Sequence, residues 1–182
     1  MKEDADWTLV GRCREGDRTA CEQLVLRYQK PVYNAALRLL RNPEDARDVA
    51  QTAFLKAFEH LADYDPRFKF YSWIYRIAIN EALDTLGSRR RVAEVSDDEA
   101  DEAPGPEQLA EGEQTARAIE DALMRIKPEL RTVIVLRHFM HLSYHDMGDI
   151  LQLPEKTVKS RLHDARLVLR QTLLRRGMVC HG

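Results

Sequence analysis

The stretch LSYHDMGDILQLPEKTVKSRLHDAR, residues 142–166, has the signals of two short helices with a tight turn between them. Ser143 can cap the first helix, and Asp146 stands three residues later, as in a capping box. Leu153-Pro154 ends this helix, because proline disfavours the helical conformation of the residue before it. The apolar positions of the second helix fall in a narrow angular range: Val158, Leu162, Ala165 and Leu169. The pattern predicts a helix-turn-helix.

The outer face of the second helix is basic. Residues 154–177 contain seven Lys and Arg against two Asp and Glu. Because the second helix of a helix-turn-helix enters the DNA major groove, DNA binding is the favoured interpretation. Lys and Arg neutralise phosphates, while Ser160, Lys159 and Arg161 are suited to reach base edges. The alternative is a solvated basic helix in a helical bundle, and spacing alone leaves open which residues read bases.

A second stretch, FKFYSWIYRIAINEALD at residues 68–84, is rich in aromatic rings for a chain whose aromatic content is 7%. Its first eight residues contain Phe68, Phe70, Tyr71, Trp73 and Tyr75. Rings beside basic side chains suit unpaired nucleic acid, because every base has a face that can stack on them. The alternative is packing on the preceding helices. Helical spacing favours packing for most rings, with Phe70 and Trp73 on one side and Tyr71 and Tyr75 pointing elsewhere.

Most of the remaining chain has helical periodicity, and no segment alternates as a strand would. Helices are predicted over residues 17–40, from Pro43 to about 61, and from the aromatic stretch to about Gly87. Four more are predicted near 115–126, 128–140, 143–152 and 155–175. The fold class is therefore all-α, with two small helical domains, the second a helix-turn-helix domain.

An acidic segment separates the two domains. Residues 92–116 contain nine acids and no Lys or Arg, whereas the flanking blocks have net charges of +2 and +5. Pro104, Gly105 and Pro106 interrupt this segment, and large apolar residues are scarce in it. Such a composition predicts a flexible acidic linker, with helical periodicity only in its last third.

The cysteines and the lack of long apolar runs indicate the cellular compartment of the protein. The 182 residues contain three cysteines without a CxxC pair, so we expect no disulfide, and Cys13 and Cys21 are predicted to be small buried groups. No run of 18 apolar residues is present, and the N-terminus lacks the apolar segment of a signal peptide. A cytoplasmic protein without membrane insertion is predicted.

Catalytic and metal sites are weakly indicated. His138, His141 and His145, with Cys180-His181, could suggest a metal sensor, but His141 and His145 straddle the loop before Ser143, and solvated or capping histidines are commoner. The sequence has no Gly-rich phosphate loop, nucleophile elbow or paired catalytic carboxylates. Neither a metal, a cofactor nor an enzymatic activity is predicted.

Three blocks together resemble a known family. DARDVAQTAFLKAFEHL (45–61), FYSWIYRIAINEALD (70–84) and the stretch at 142–166 are similar, in order and spacing, to bacterial sigma factors of the small extracytoplasmic-function group. The resemblance extends from about Leu9 to Leu174. It implies a region 2-like domain at residues 1–91, the linker at 92–116, and a region 4-like domain at 117–182.

The resemblance also implies roles for individual residues. Asp45, Asp48 and Gln51 match the face that grips the clamp helices of the largest subunit of core RNA polymerase, although Thr52 stands where the family usually has an acid. The residues that match the part reading and opening the minus-ten element are Asp65, Arg67, Phe68, Tyr71, Arg76 and Asn80. Those that match the reader of the minus-thirty-five element are Lys156, Lys159, Ser160, Arg161, His163 and Arg166. Asp164 stands where many relatives have a basic residue.

The implied function is promoter-specific transcription initiation in an envelope or stress response, through core RNA polymerase and promoter DNA in double- and single-stranded form. An anti-sigma factor is the expected inhibitor. The acidic linker is expected to occupy, by charge mimicry, the basic path later taken by RNA. Two alternatives are a sigma-like decoy that sequesters an anti-sigma protein and a stand-alone helix-turn-helix regulator.

Overall fold

The computed structural model describes residues 2–95 and 111–175, with side chains for 6–91 and 116–175, and these residues form helices and connecting turns. The first four helices are α1 (Lys2–Arg14), α2 (Arg18–Leu40), α3 (Pro43–Glu59) and α4 (Phe70–Val95). The next four are α5 (Glu111–Arg125), α6 (Pro128–Ile134), α7 (Tyr144–Leu151) and α8 (Glu155–Leu174). A 3-10 turn, Leu61–Asp63, follows α3, and a π-helical turn, Val135–Phe139, continues α6. Most of the acidic linker and the Cys180-His181 pair lie outside the described residues.

The all-α prediction is confirmed, and the helices from α2 onward follow the expected order. The main difference is α4, which continues to Val95 instead of ending near Gly87. A single glycine inside a helix costs about 1 kcal/mol, which the neighbouring turns of a 26-residue helix can offset. Helix α1 had no explicit prediction, because its N-terminal half lacks an apolar stripe.

Local capping defines the helix starts. Asp17 accepts a hydrogen bond from the backbone N–H of Thr19 at 3.0 Å and begins α2. Hydrogen bonds from the side chains of Thr19 and Arg12 lower the pKa of Asp17 to about 2. Helix α3 begins at Pro43, as the sequence predicted, and the Asn42 side chain caps it.

The first domain packs α1 to α4 around a core that includes a cluster of four aromatic rings. The Tyr64 ring lies 5.2 Å from Trp73 and 6.0 Å from Phe70, and the Tyr28 ring lies 5.5 Å from Phe70, centroid to centroid. Phe70 is 1% exposed and Trp73 is 8% exposed. The interpretation that most rings of this stretch pack in the core is therefore confirmed.

Cys13 is buried and Cys21 partly buried, but the expectation that no disulfide forms is wrong. Cys13, in the last turn of α1, and Cys21, in the first turn of α2, form a disulfide with their Cα atoms 5.1 Å apart. Helices α1 and α2 pack on each other, and the turn between them is three residues long, so the two side chains meet across it. The eight-residue separation could not show this contact, because it depends on how the two helices pack.

The second domain packs α6 and α7 against α8. The predicted inner residues Val158, Leu162 and Ala165 of α8 are buried, while Leu169 is partly buried. On α7, Met147 and Ile150 are buried and Leu151 is partly buried against the same core. No helix in the described parts of the chain is both long enough and apolar enough to cross a membrane.

The two domains also pack on each other, and a buried arginine lies at the contact. Arg131 of α6 is 3% exposed and donates to the backbone carbonyl of Leu39 at the end of α2. It also donates to the carbonyls of Leu123 and Met124, both at 2.9 Å, and to that of Ile126 at 3.3 Å. One guanidinium thus donates hydrogen bonds to carbonyls at the ends of both α2 and α5. Burial lowers the pKa of Arg131.

Replacing Arg131 with methionine should lower the free energy of unfolding by about 3 kcal/mol, because a neutral side chain leaves buried carbonyls without donors. Urea unfolding followed by circular dichroism measures the change. The matched control is Arg125→Met, since Arg125 is an exposed arginine of the adjacent helix. Equal unfolding midpoints for the two variants would contradict the role assigned to Arg131.

Reduction of the Cys13–Cys21 disulfide should destabilise the first domain. Closing a loop of about nine residues removes chain entropy worth about 2.5 kcal/mol from the unfolded state. The expected result is a matching loss for Cys13→Ser/Cys21→Ser in denaturant unfolding, with Cys180→Ser as the neutral control. Peptide mapping that finds Cys13 and Cys21 as free thiols in the oxidised protein would refute the pairing.

Candidate nucleic-acid interface

The helix-turn-helix is held by its capping box and by a close turn. The backbone N–H of Asp146 donates to Ser143 Oγ at 3.1 Å, and the Ser143 N–H donates to the Asp146 carboxylate at 3.3 Å, as predicted. Gln152 adopts φ 53° after α7, and the Leu153 N–H donates to the Gly148 carbonyl at 3.0 Å. A Cβ at Gly148 would lie 2.8 Å from the Leu153 carbonyl oxygen, so the turn requires glycine there.

Helix α8 presents most of the predicted contact residues on one side. The exposed members of the set are Lys156, Lys159, Ser160, His163 and Arg166. Arg161 is only partly exposed, and it lies about 100° around the helix from Ser160. The structure therefore brings five of the six together and sets Arg161 apart. Burial of Val158, Leu162 and Ala165 fixes this orientation of the helix.

Arg166 has a partner that the sequence did not reveal. Its Nε and Nη2 atoms lie 3.3 Å and 3.2 Å from His138 Nε2. Burial and the charges of Arg166 and Arg137 lower the pKa of His138, which favours the neutral ring that can accept these hydrogen bonds. His138 thus holds the guanidinium at the edge of α8. The separation of 28 residues gives no signal of this pair in the sequence.

The accessible rings at the start of α4 are fewer than the sequence suggested. Phe68 is 42% exposed, and Tyr71 is partly exposed. The expectation that Tyr75 points away from the core is wrong, because Tyr75 is 5% exposed, and its burial raises the pKa of its hydroxyl. Tyr75 lines a cavity together with Leu123, Phe139 and Met140 of the second domain. Phe68 and Tyr71 are the predicted stacking residues that remain reachable.

The loop before α4 is ordered by its own hydrogen bonds. Asp65 accepts from the Arg67 backbone N–H at 3.0 Å and from Arg67 Nε and Nη2 at 2.9 and 2.6 Å. These bonds lower the pKa of Asp65. The Tyr64 hydroxyl donates to the Phe68 carbonyl at 2.5 Å, which fixes the backbone that carries the exposed Phe68 ring. In the free chain, Asp65 and Arg67 are therefore hydrogen-bonded and ion-paired to each other.

Arg76 and Asn80 lie one turn apart on the same side of α4, with Asn80 exposed and Arg76 partly exposed. Phe68 and Arg76 line a cleft of about 390 Å³ whose other wall comes from the second domain. The lining residues of that wall include His145, Asp149 and Glu155. The predicted minus-ten residues Phe68 and Arg76 thus face α7 and the turn before α8.

The predicted polymerase-binding residues share a face of α3, but they differ in exposure. Asp48 and Gln51 are exposed, whereas Asp45 is partly buried and forms an ion pair with Arg89 of α4. Beside Gln51, the helices α2 and α3 form a groove of about 610 Å³ lined mainly by apolar side chains. Leu55, which lines it, is 56% exposed, and Leu26 nearby is 68% exposed. The sequence did not predict this groove, although both leucines lie outside the buried stripes of their helices.

The histidines do not converge. His138 contacts Arg166, while His145 lies 3.6 Å from Glu155 and 3.8 Å from Asp149. Within the described residues, no group of three His, Cys, Asp or Glu side chains is arranged to hold a metal ion.

Comparisons with known proteins agree with this architecture. Residues 24–92 match the family model for sigma-70 region 2, and residues 116–169 match that for sigma-70 region 4, together more than half of the chain. Relatives extend this match along the chain. The RNA polymerase sigma-H factor of Pseudomonas aeruginosa is 33% identical over 95% of this chain and 96% of its own length.

Two further relatives are similar. The extracytoplasmic-function (ECF) sigma-E factor of Escherichia coli is 34% identical over 88% of this chain, and 90% of its own length is covered. Among solved structures, CnrH in complex with the cytosolic domain of CnrY superposes with a TM-score of 0.72 at 29% identity, covering 93% of this chain and 97% of CnrH. The chain belongs to the sigma-70 family, as a sigma factor of the ECF group that directs transcription initiation. The family assignment confirms that it is not an enzyme.

A pair of glycine substitutions tests the geometry of the helix-turn-helix. Gly148→Ala should destabilise the second domain by about 1–3 kcal/mol, because the Cβ would clash with the Leu153 carbonyl. Gly87→Ala should stabilise α4 by about 0.5–1 kcal/mol, because a Cβ there meets open space. Thermal unfolding measures both changes, and equal signs for the two variants would refute the tight turn.

Proposed function

We propose that this sigma factor binds core RNA polymerase through α3 and contacts its promoter with both domains. The region 2-like domain, residues 1–91, would open the minus-ten element. The region 4-like domain, residues 117–182, would read the minus-thirty-five element with α8. The observation that carries this proposal is the exposed row of basic and polar side chains on α8, held in place by a complete capping box and a glycine-dependent turn.

Recognition of the minus-thirty-five element would follow from the orientation of α8. Lys156, Lys159, Ser160, His163 and Arg166 face outward together, so they can enter a major groove about 12 Å wide. Arg166, held by His138, is placed to contact a phosphate or a guanine edge. Arg161 lies to one side, which suits a backbone contact better than a base contact.

Opening of the minus-ten element would depend on few stacking contacts. Phe68 and Tyr71 are the accessible rings, and base stacking contributes about 1–3 kcal/mol per base. Two captured bases therefore supply about 2–6 kcal/mol, against a cost of a few kcal/mol for each base unpaired. Hydrogen bonds from Arg76 and Asn80, together with Asp65 and Arg67, would add base selection. Opening also needs the duplex to be held by polymerase.

Polymerase binding is assigned to Asp48 and Gln51, with Asp45 supporting the face through Arg89. The clamp helices of the largest polymerase subunit are the proposed partner, and the apolar groove beside Gln51 would bury part of that contact. An anti-sigma factor is the proposed inhibitor, and the complex of CnrH with the cytosolic domain of CnrY shows that a structural neighbour binds another protein. The cytoplasm is the proposed location, and the acidic segment 92–116 is proposed to mimic RNA.

The melting role predicts a specific defect for Phe68→Ala. On a promoter used by the wild-type holoenzyme, this variant should weaken strand opening by about 1–3 kcal/mol, since one stacking platform is lost. Fluorescence of 2-aminopurine placed in the minus-ten element measures the opening. A template with a pre-opened bubble should restore transcription, because the missing energy is no longer needed.

The matched control is Asp84→Ala, which changes an exposed residue of the same helix outside the proposed site. It should open the promoter as well as the wild type does. Equal opening by Phe68→Ala and the wild type would contradict the assignment of this ring. A loss that the bubble template does not restore would show that Phe68 acts in polymerase binding or folding instead.

A further inference from the structure

The disulfide between Cys13 and Cys21 is unexpected in the proposed cytoplasmic location. Disulfides that form in a reducing cytoplasm are mostly transient, and they serve catalysis or redox sensing. Since the chain is a sigma factor and not an enzyme, redox sensing is the role that fits this bond. Such a role requires that small reagents reach a sulfur atom and that the state of the bond affects a functional surface.

One sulfur of the pair is within reach of small molecules. Cys21 is partly exposed, whereas Cys13 is 7% exposed. Cys21 lines a surface pocket of about 490 Å³ together with Arg18, Val25 and Phe58. A pocket of this size admits a small dithiol or hydroperoxide. A reductant therefore attacks the Cys21 sulfur, and Cys13 is the leaving group.

Helix α1 connects the disulfide to the loop before α4 by a direct hydrogen bond. Arg14 follows Cys13, and its Nη2 donates to the Ala62 carbonyl at 3.0 Å. Ala62 lies in the 3-10 turn after α3, two residues before Tyr64. The Tyr64 hydroxyl in turn donates to the Phe68 carbonyl. The position of the last turn of α1 therefore bears on the backbone that presents the Phe68 ring.

A second connection runs from α1 to the other end of this loop. Asp6 is 6% exposed, pairs with Arg27 and accepts a hydrogen bond from the Tyr28 hydroxyl. Burial and then this hydrogen bond raise the pKa of Tyr28, so the phenol stays protonated and keeps its donor role. The Tyr28 ring lies 5.5 Å from that of Phe70, the first residue of α4. Helix α1 thus supports the loop of residues 64–69 at both of its ends.

The disulfide restricts how the end of α1 lies against α2. The turn between the two helices contains Gly16 at φ 91°, a conformation that glycine adopts readily. After reduction, Leu9 and Val10 still hold α1 in the core, because both are buried. The last turn of α1, which carries Arg14, gains conformational freedom. Reduction therefore loosens the support of the loop before α4 rather than detaching the helix.

We propose that Cys13 and Cys21 form a reversible redox site, oxidised by a hydroperoxide and reduced by a dithiol, whose disulfide form holds the loop before α4 ready to capture minus-ten bases. The inference rests on the proposed function, because it assumes that Phe68 and its loop contact DNA. A loop that is already ordered loses less freedom on binding, so the oxidised sigma factor opens its promoter more readily than the reduced one.

Both reactions of the site transfer two electrons. In the oxidation, one cysteine thiolate attacks the O–O bond of the hydroperoxide, and an alcohol leaves after taking up a proton. The resulting sulfenic acid condenses with the second thiol and releases water. In the reduction, a thiolate of the dithiol attacks the Cys21 sulfur, and Cys13 leaves and takes up a proton. The second thiol of the reductant then displaces Cys21, so the reductant ends as a disulfide.

Promoter opening by the oxidised and the reduced sigma factor tests this site. Each protein carries Cys180→Ser, is treated with hydrogen peroxide or dithiothreitol, and is freed of the reagent under argon before core polymerase is added. Thiol alkylation and mass spectrometry report the state of the pair. Fluorescence of 2-aminopurine in the minus-ten element measures opening, and hydrogen exchange of the free sigma factor measures the order of residues 60–69.

Three variants serve as controls. Cys13→Ser/Cys21→Ser cannot change its redox state, so it should respond to neither reagent. Arg14→Met keeps the disulfide but removes the donor to the Ala62 carbonyl. Its matched control is Arg18→Met, which changes an exposed arginine of the neighbouring helix. Arg14→Met also tests the connection if the double serine variant fails to fold.

We expect the oxidised form to open about two- to fivefold more promoter than the reduced form, with slower hydrogen exchange in residues 60–69. The double serine variant should match the reduced form after either treatment. Arg14→Met should lose most of the difference between the two redox states, and Arg18→Met should keep it.

The possible failures of this test are distinct. Equal opening by the oxidised and reduced forms would overturn the coupling to the loop. A disulfide that dithiothreitol leaves intact in the folded protein would overturn the reversible site, as would a double serine variant that still responds to the reagents. Opening by neither redox form nor by the double serine variant would contradict the proposed function, and the inference with it.

Discussion

The buried guanidinium of Arg131 is the constraint on which the arrangement of the domains depends. A charge that is 3% exposed must be fully hydrogen-bonded, and here its partners are backbone carbonyls of Leu39, Leu123, Met124 and Ile126. Three of these belong to the second domain, and the Leu39 carbonyl belongs to the first. Because helix C-termini leave carbonyls without intrahelical donors, the same arginine both completes α5 and joins it to α2.

This bond pattern places most of the hydrogen bonds of Arg131 within the second domain. When the Leu39 carbonyl is lost, Arg131 keeps its three partners within the second domain, and the freed carbonyl at the end of α2 can bond to water. The surface ion pairs of Arg38 with Glu120 and of Arg41 with Asp121 are each worth about 1 kcal/mol or less. The interface therefore combines a specific geometry with surface ion pairs of modest strength.

The aromatic stretch shows how one segment serves two demands. Phe70 and Trp73 build the core of the first domain with Tyr28 and Tyr64, while Phe68 stays exposed because the loop before α4 is fixed by the Tyr64 hydroxyl. Core packing thus holds the backbone at the place where a base would stack. A ring on a rigid backbone loses little freedom on binding, so more of its stacking energy is available for opening DNA.

The sequence by itself determined the all-α class, the order of the helices from α2 onward, the capping box of α7, Pro43 at the start of α3, the inner face of α8 and the family. These features depend on residues close in the chain: a cap and its acceptor two or three positions apart, or apolar groups at helical spacing. The tertiary structure alone decided the Cys13–Cys21 disulfide, the burial of Tyr75, the Arg166–His138 pair and the engagement of Tyr71 by Asp146. Each of these depends on how separate helices pack, and helical periodicity contains no information about which surfaces of two helices meet.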